Sequence, residues 1–374
     1  MDAFVLTTSA FWDDLTPVAA GSFPGAIPAC PELRGHVLFE TSGSSDTPQW
    51  IALSKMALLA SAAAVNRQLE VTPASCWGRV LPLCHVGGFG VAARAFAAGC
   101  GFRDCGWRWS AGAFAQWLTD HPVTHTSLVP AQVHDLVHAG LHAPPSLRAI
   151  VVGGGRLDEA TGQAARALGW PVLASYGMTE AASQIATQEP AALDTFYQPA
   201  PIPLLPIWQA AITPDLTLGI AGPALFSGWL VRENAAWVFK SRASEWHLTQ
   251  DRVALANRCL TPLGRADLRV KVLGELVDLE AIERALAVLA DGGFPPGRFA
   301  VVAVPDARAE HALVPVFDGA VDAALIAAVL TRYAARTPGL LRLRPPVILA
   351  HFPHSPLDKP RRAEIVAALR ASST

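Results

Sequence analysis

The residues whose types could do chemistry concentrate in two short segments that lie far apart in the chain. The first segment, residues 41–49, reads Thr-Ser-Gly-Ser-Ser-Asp-Thr-Pro-Gln. Gly43 allows a close approach of the backbone, so successive N–H groups can point at phosphate oxygens, and the hydroxyl groups around it add donors. It is not a Walker loop, because no Gly-Lys-Ser/Thr follows. Taken alone, a plain Ser/Thr turn is the simpler interpretation.

The second segment, residues 176–180, offers an aromatic face, a hydroxyl group and a carboxylate. Tyr176 can stack on a purine, Thr179 can donate to an α-phosphate, and Glu180 can hold Mg²⁺. One glutamate is enough, since Mg²⁺ takes one or two carboxylates together with phosphate oxygens and water. The alternative for this segment alone is a strand-end turn with a capping threonine. Together the two segments predict a site for ATP and its magnesium ion.

Further candidate residues carry weaker signals. The triple glycine at residues 153–155 lets a base lie flat against the backbone, or is a plain strand-to-helix turn. Asp251 is a candidate for binding ribose hydroxyls, or a carboxylate in a surface turn. Arg265 and Asp267 can form an exposed ion pair, which contributes little to stability. Lys359 begins a basic helix and by itself indicates a solvated lysine.

The composition narrows the class of protein. The 374 residues indicate two or three domains, and the hydrophobic share of 51% supports a large core. The net charge is -2 and no basic run stands out, which argues against a nucleic-acid partner. The 6 cysteines form no C-x-x-C pair, which indicates free thiols in a reducing cytoplasm. We find no signal peptide, and the longest apolar run, residues 56–65, is about half of the roughly 20 residues that a membrane span needs.

Local patterns give the bounds of several elements. Ser54 is a suitable cap for a helix over residues 55–68. A strand is predicted over residues 79–83, which lead into the segment 84–88. The other strands predicted in this region are residues 36–39, 124–129, 147–152 and 172–175, and the other helices are residues 130–138 and 158–168.

This alternation of strands and alanine-rich helices predicts a helix-covered, mostly parallel sheet in an α/β fold. Ligands bind beyond the carboxyl ends of such strands, which is where the hydroxyl loop, the triple glycine and the tyrosine segment lie. The prolines after residue 198 and the pattern up to about residue 251 predict an antiparallel β subdomain. Beyond residue 264 the pattern predicts a small α+β domain. The predicted domains are therefore residues 1–264 and residues 265–374.

Taken in order, these segments resemble the adenylate-forming superfamily of acyl-CoA synthetases, luciferases and peptide-synthetase adenylation domains. The resemblance runs from about Val37 to the C-terminus. It rests on an ordered set of motifs: residues 41–45, 81–88, 153–155, 176–180, 222–229, 251, 264–267, 274–283, 359 and 362. Within the superfamily, residues 81–88, 127–132 and 177–183 are most similar to the o-succinylbenzoate–CoA ligases of menaquinone biosynthesis.

The resemblance implies an acid–thiol ligase that depends on ATP and Mg²⁺. A carboxylate, here o-succinylbenzoate, attacks the α-phosphate of ATP and gives an acyl-adenylate and pyrophosphate, and the thiol of coenzyme A then displaces AMP. Residues 1–264 would be the adenylation core domain, and residues 265–374 a mobile lid that carries the catalytic lysine. The implied partners are small molecules, with a homodimer as a possibility.

The resemblance also assigns roles at the nucleotide. Lys359 would neutralise charge around the phosphates as pyrophosphate leaves, and Asp267 matches the hinge position at which the lid turns. Asp251 and Arg265 would hold the ribose. The residues implied for nucleotide binding are Thr41, Ser42, Gly43, Ser44, Ser45, Gly153, Gly154, Gly155, Ser175, Tyr176, Gly177, Asp251 and Arg265.

At the acyl substrate, the resemblance places His85 in the acyl pocket or at its entrance. Arg94 is a candidate partner for a second carboxylate on the substrate, and its alternative is a surface arginine on a helix. The implied catalytic residues are His85, Thr179, Glu180 and Lys359, with Glu180 also as the metal ligand. The implied substrate residues are His85, Arg94, Ser127 and Ser183.

The chain departs from the superfamily pattern at three places. Gln49 stands where a lysine usually ends the hydroxyl loop, and Asp46 adds a carboxylate there. Asp358 stands where a glycine usually precedes the lysine. Only 40 residues precede Thr41, where relatives carry a large subdomain. These departures keep open a degenerate member that binds nucleotide or acyl group without turnover. A ligase for another aryl or acyl carboxylate is a further alternative, because the sequence does not define the acyl pocket.

Overall fold

The computed structural model describes residues 2–41, 49–106, 108–234, 236–306, 308–337, 339–355 and 358–371. Its α-helices are α1 Ser9–Asp13, α2 Lys55–Gln68, α3 Val86–Ala98, α4 Ala111–Asp120, α5 Pro130–His138, α6 Glu159–Ala167, α7 Leu279–Ala290, α8 Ala323–Arg336 and α9 Arg362–Ala371. Short 3₁₀ helices lie at Ala3–Thr7, Pro31–Leu33, Thr179–Ala181, Pro190–Asp194, Ala266–Leu268 and Gly339–Leu341.

The strands of the first half are β1 Val18–Ala19, β2 His36–Thr41, β3 Gln49–Ser54, β4 Cys76–Arg79, β5 Gly101–Asp104, β6 His125–Leu128, β7 Ala149–Val152, β8 Val172–Tyr176 and β9 Ala186–Thr187. Those of the second half are β10 Ile202–Pro203, β11 Gln209–Ile212, β12 Thr217–Ala221, β13 Gly228–Glu233, β14 Ala236–Ser241, β15 His247–Ala256, β16 Cys259–Arg265, β17 Arg269–Val272, β18 Glu275–Asp278, β19 Phe299–Asp306, β20 Glu310–Asp318 and β21 Val347–Leu349.

Two compact units divide the chain. The first unit comprises Met1–Ile212, Gly219–Thr249 and Leu255–Thr261. The second unit comprises Thr213–Leu218, Gln250–Ala254 and Pro262–Thr374. The domain boundary predicted between residues 264 and 265 remains a prediction.

The central element of the first unit is a six-stranded sheet with the order β5-β4-β6-β7-β8-β9. The first five strands are parallel, and β9 runs antiparallel to β8. Every residue of β4, β6 and β7 is buried, as expected for a sheet that is covered on both faces. The predicted helix-covered parallel sheet is confirmed, and the carboxyl ends of β4, β6, β7 and β8 share one edge.

Two local predictions near this sheet had different outcomes. Helix α2 has the predicted bounds, and the hydroxyl oxygen of Ser54 accepts the amide N–H of Ala57 at 3.0 Å as a cap. The strand predicted over residues 79–83 is wrong, because β4 ends at Arg79. Pro82 has no N–H for a sheet ladder, and its carbonyl instead accepts the amide of His85 at 3.2 Å in the turn that leads into α3.

A second sheet of the first unit has the order β1-β2-β3-β13-β14. Its strands enclose a small core of Leu33, Leu38, Trp50, Ala52 and Leu230. Strands β2 and β3 form an antiparallel hairpin, in which Thr41 and Gln49 are the last pair before the connecting loop. A further five-stranded sheet has the order β10-β16-β15-β12-β11.

The second unit contains the hairpin β17–β18 and the three-stranded sheet β19-β20-β21. Alternate residues of β19 and β20 face opposite sides, which gives the sheet two cores. Val301 and Phe317 pack with residues of α7 and α8, whereas Ala300 and Val316 pack with Ile365 of α9. This arrangement is the predicted small α+β domain. Among the described residues of both units, no helix combines the length and the apolar character needed to cross a bilayer.

Candidate active site

The sheet topology places most of the predicted site residues of the first unit along one edge. Because parallel strands end on the same side, the residues that follow β4, β6, β7 and β8 become neighbours. The amide of Gly153 donates to the carbonyl of Leu128 at 3.1 Å, and the hydroxyl of Ser175 donates to the carbonyl of Val152 at 2.9 Å. The predicted residues on this edge are His85, Ser127, Gly153, Gly154, Gly155, Ser175, Tyr176 and Gly177.

The tyrosine segment forms a tight turn after β8. The carbonyl of Tyr176 accepts the amide of Ile185 at 2.9 Å, and Thr179 and Glu180 lie in a 3₁₀ turn. A Cβ atom at Gly177 would lie 1.6 Å from the carbonyl oxygen of Ser183, so only glycine fits there. Tyr176, Thr179 and Glu180 are each half-buried, which leaves their side chains accessible to a ligand.

Thr41 is the last residue of β2, and its hydroxyl donates to the carbonyl of Gln49 at 3.1 Å. Thr41 and Gln49 therefore close the hairpin from which the hydroxyl loop arises. Ser42, Gly43, Ser44 and Ser45, also predicted to bind nucleotide, lie outside the described residues.

A magnesium ion at this edge would depend mainly on one carboxylate. The described residues contain no group of three or more acidic, histidine or cysteine side chains that could enclose a metal ion. Glu180 stands at the end of a strand where phosphates are expected, and its carboxylate is a hard oxygen ligand. This donor set suits Mg²⁺, which takes its remaining ligands from phosphates and water.

Arg94 on helix α3 is fully buried, with 1% of its surface exposed. It donates to the hydroxyl oxygens of Ser127 at 3.0 Å and Ser183 at 3.4 Å. Within the described part of the chain no carboxylate pairs with it, and its Nε has no hydrogen-bond partner. Burial lowers the pKa of Arg94 to about 10, so it stays charged at pH 7. The surface-arginine alternative is wrong, and the predicted substrate residues Arg94, Ser127 and Ser183 lie together.

Residues that sequence reasoning missed hold Arg94 in place. The guanidinium carbon lies 5.1 Å from the ring centre of Trp77. The side-chain amide of Asn66 donates to the carbonyl of Arg94 at 2.8 Å and accepts from the indole N–H of Trp77 at 3.1 Å. A Cβ at Gly90 would lie 3.3 Å from the guanidinium, so this glycine leaves space beside it. The glycines around residue 90, one helical turn before Arg94, were the available sequence signal.

Ser183 has an unusual backbone conformation for a residue with a side chain. Its φ is 97°, and that of the preceding Ala182 is 48°. Left-handed conformations of this kind are unfavourable for non-glycine residues by about 1–3 kcal/mol and cluster at functional sites. The strained turn places the hydroxyl of Ser183 within reach of Arg94, which ties the turn after β8 to helix α3.

In the second unit, Arg265 joins two of the predicted site residues. Its Nε and one terminal nitrogen donate to the two carboxylate oxygens of Asp267 at 2.8 and 2.7 Å. The other terminal nitrogen donates to Asp251 at 3.2 Å. The hydrogen bond to Asp267 raises the pKa of Arg265 above its usual value. The structure thus brings Asp251, Arg265 and the predicted hinge residue together.

Lys359 lies in an exposed turn of the second unit that precedes α9. Its amide donates to the hydroxyl oxygen of Ser355 at 3.2 Å, and its carbonyl accepts the amide of Ser355 at 2.8 Å. The preceding Asp358 has a φ of 55°, a left-handed conformation in which glycine is free of strain. Asp358 therefore stands at a position where glycine would be free of strain.

Comparison with known proteins identifies the segment that contains this sheet edge. Residues 36–211 match the sequence profile of the family described as AMP-binding enzyme. This segment is an AMP-binding domain of the adenylate-forming superfamily. The superfamily resemblance predicted from the motifs is confirmed.

The AMP-binding domain also matches curated relatives over part of its length. A 2-succinylbenzoate–CoA ligase of Staphylococcus epidermidis is 33% identical over 150 residues, which are 40% of this chain and 31% of that protein. A ligase of the same description from Staphylococcus aureus is 31% identical over 150 residues, or 30% of its length. The matched segment thus spans less than a third of these relatives.

Solved structures with this fold cover more of the chain. An o-succinylbenzoate CoA synthetase from Bacillus subtilis, in complex with the acyl-adenylate OSB-AMP, has a TM-score of 0.73 at 22% identity and covers 88% of this chain and 68% of that one. ATP-bound MatB from Rhodopseudomonas palustris has a TM-score of 0.72 at 19% identity, covering 90% and 69%. The α/β fold around the AMP-binding domain is therefore the fold of these enzymes.

Proposed function

We propose that the protein is an ATP- and Mg²⁺-dependent CoA ligase that converts o-succinylbenzoate to o-succinylbenzoyl-CoA through an acyl-adenylate. The observation that carries the choice of acid is Arg94, a buried cation with no acidic partner among the described residues. A dicarboxylic acid has one carboxylate to activate and a second one to pair with this guanidinium. The names of the curated relatives support the same acid.

In the proposed first step, a carboxylate oxygen of the acid attacks the α-phosphorus of ATP. A P–O bond forms, the bond from that phosphorus to the bridging oxygen of the β-phosphate breaks, and pyrophosphate leaves. Tyr176 would stack on the adenine, Thr179 would donate to the α-phosphate, and Lys359 would stabilise the charge of the leaving group. Mg²⁺, held by Glu180, would supply further positive charge at the phosphates.

In the proposed second step, the sulfur of coenzyme A attacks the acyl carbon. A C–S bond forms, the bond from the acyl carbon to the phosphate oxygen breaks, AMP leaves, and the thiol proton passes to solvent. Asp251 and Arg265 would hold the ribose of the nucleotide through both steps. Asp267 would be the hinge at which the residues that carry Lys359 turn away after the first step. His85, the residue immediately before helix α3, would line the acyl pocket.

The proposed acid is tested by pyrophosphate release with ATP, Mg²⁺ and CoA, together with mass spectrometry of the thioester. The acids compared are o-succinylbenzoate and its two analogues that each lack one carboxylate. We expect a kcat/KM for o-succinylbenzoate at least about 100-fold above that of the analogue without the carboxylate that pairs with Arg94, since the lost charge pair is worth several kcal/mol. The analogue without the carboxylate that attacks ATP should release no pyrophosphate. Release with o-succinylbenzoate should be lost in Lys359→Ala.

Other results of this experiment separate the open alternatives. Turnover of a different aryl or acyl acid in preference to o-succinylbenzoate would keep the ligase reaction and overturn the substrate. Binding of ATP without pyrophosphate release for any acid would overturn the enzyme and favour a non-catalytic nucleotide-binding protein. Gln49, in place of the usual lysine, is the feature that motivates this second outcome.

We also propose a cytoplasmic location and a homodimer. The six cysteines are all free thiols, and Cys76 and Cys105 are buried, as is usual for proteins of a reducing compartment. Cell fractionation with an antibody tests the location, and sedimentation equilibrium of the purified protein tests the dimer.

A further inference from the structure

A cluster of charged residues anchors the turn that carries Lys359. One terminal nitrogen of Arg298 donates to the carboxylate of Asp358 at 3.2 Å, and the other donates to Asp318 at 3.2 Å. Arg298 immediately precedes β19, and Asp318 is the last residue of β20. The guanidinium therefore connects the neighbour of Lys359 to the ordered sheet of the second unit.

The backbones of the two segments are also in contact. Gly297 has a φ of 77°, and a Cβ atom there would lie 1.8 Å from the carbonyl oxygen of Asp358. The amide of Asp318 donates to the carbonyl of Arg298 at 2.8 Å, which fixes the arginine on the sheet. Arg298 thus reaches the turn from a rigid platform.

Local hydrogen bonds transmit this contact to the lysine. The amide of Asp358 donates to the carbonyl of Ser355 at 2.9 Å, and the amide of Lys359 donates to the hydroxyl of the same serine at 3.2 Å. The Nε2 atom of His354 lies 3.4 Å from the Asp358 carboxylate. Because Asp358 and Lys359 are adjacent in one turn, holding the Asp358 side chain also holds the backbone from which the Lys359 side chain extends.

The ion pair between Arg298 and Asp358 is not explained by stability, as the residue type at position 358 indicates. A φ of 55° is unfavourable for aspartate and free of strain for glycine, so the turn itself gains nothing from the carboxylate. What the carboxylate adds is the pair with Arg298, which is 33% exposed and contributes little as a surface ion pair. The pair between Arg298 and Asp358 is therefore better explained as a contact that orients the neighbouring residue, Lys359.

We propose that Arg298 is a positioning residue for Lys359, acting through Asp358, in the adenylate-forming step. The proposal rests on the proposed function, in which Lys359 serves the first step and is withdrawn before the second. Loss of Arg298 therefore lowers the rate of acyl-adenylate formation and leaves the reaction of a preformed acyl-adenylate with CoA unchanged.

The experiment compares Arg298→Ala, Arg298→Lys and Arg344→Ala with the wild-type protein in the two half-reactions. Arg344 is the matched control, because it forms an ion pair of the same type with Asp306 in the second unit at 2.6 Å. We expect Arg298→Ala to slow adenylate formation by about tenfold or more, as a misplaced catalytic group does. CoA transfer from preformed o-succinylbenzoyl-AMP should stay within about twofold. Arg298→Lys keeps the charge but cannot bridge both carboxylates with a fork, so it should restore the first rate only in part.

Equal losses in both half-reactions, equal losses in Arg344→Ala, or an unchanged first step would each overturn the proposal. The double variant Arg298→Ala/Asp358→Asn should be no slower than Arg298→Ala alone, because both changes break one pair. Additive losses would contradict the route through Asp358.

A second measurement decides the proposal even if the wild-type protein forms no adenylate. Hydrogen exchange of the peptide that spans residues 354–361 should become faster in Arg298→Ala and remain at the wild-type rate in Arg344→Ala. Unchanged exchange in Arg298→Ala would overturn the positioning role. Inactivity of the wild-type protein with altered exchange would overturn the proposed function alone.

Discussion

Replacing Arg94 by methionine should separate substrate recognition from stability. Methionine fills a similar volume without charge, so the change removes the buried cation and keeps the packing. If Arg94 is structural, its loss should lower the free energy of unfolding. If Arg94 serves to bind a ligand, its loss should weaken ligand binding and leave the stability unchanged. Arg94 has two serine hydroxyls and the face of Trp77 as partners, and no described carboxylate.

The magnitudes follow from these surroundings. Since burial lowers the pKa of Arg94 to about 10, well below its ordinary value, keeping it charged at pH 7 destabilises the fold by about 3 kcal/mol. The contact with Trp77 returns about 2 kcal/mol. Arg94→Met should therefore leave the free energy of unfolding unchanged or raise it by about 1 kcal/mol. Loss of a buried charge pair with the substrate, at about 3–4 kcal/mol, should lower kcat/KM for o-succinylbenzoate about 100- to 1000-fold.

The assay measures kcat/KM for o-succinylbenzoate and for the analogue that lacks the ring carboxylate, alongside urea unfolding of the same variants. With this analogue, Arg94→Met and the wild-type protein should have nearly the same kcat/KM. The control is Arg79→Met, because Arg79 is also buried but pairs with Asp104. That variant leaves a carboxylate without its partner and should lose about 3 kcal/mol of stability. A loss of several kcal/mol in Arg94→Met, or equal kinetic losses for both acids, would refute the reasoning.

Three further predictions concern stability. Burial lowers the pKa of His125 to about 4, below its ordinary 6.5, so the stability that depends on the neutral ring is complete above pH 6.5 and is lost as the pH falls toward 4. Between pH 7 and pH 4, the free energy of unfolding by urea should therefore fall by about 3 kcal/mol less in His125→Gln than in the wild-type protein. Gly177→Ala should lose about 3 kcal/mol in thermal unfolding, because the new methyl group would overlap the carbonyl of Ser183, and an unchanged Tm would contradict that geometry. Arg362→Met removes the charged partner of Glu283, whose carboxylate Arg362 binds at 2.6 Å, and leaves it only the amide of Val301. This variant should lose about 3 kcal/mol by urea unfolding, and Arg362→Met/Glu283→Gln should recover most of it.

The parallel sheet could be predicted because its determinants are local. Strands β7 and β8 are mainly apolar, and the short strands of this sheet alternate with turn residues and helical patterns. Helix α2 was predicted to the residue, since Ser54 is a good cap and the residues after it favour helix. Helix α3, Val86–Ala98, was not predicted as an element, because its glycines lower helix propensity and tertiary packing overrides that preference.

The candidate site was predictable in part for the same reason. The motifs lie at strand ends, and the topology of a parallel sheet brings strand ends together without further information. The surroundings of Arg94 could not be derived, because Asn66, Trp77 and Ser127 come from three separate elements and Ser183 from the turn after β8. The pairing of Arg298 with Asp358 spans 60 positions of the chain and was likewise invisible.

No carboxylate among the described residues pairs with Arg94, so the melting temperature of the protein becomes a measure of how well an acid binds there. An acid that pairs with the guanidinium offsets the cost of burying this charge. The melting temperature of the protein should therefore rise with the affinity of the acid. At 100 times its Kd a ligand that binds only the folded state stabilises it by about 2.7 kcal/mol. A collection of mono- and dicarboxylic acids can therefore be ranked by melting curves alone, with neither nucleotide nor thiol present and with no reaction taking place.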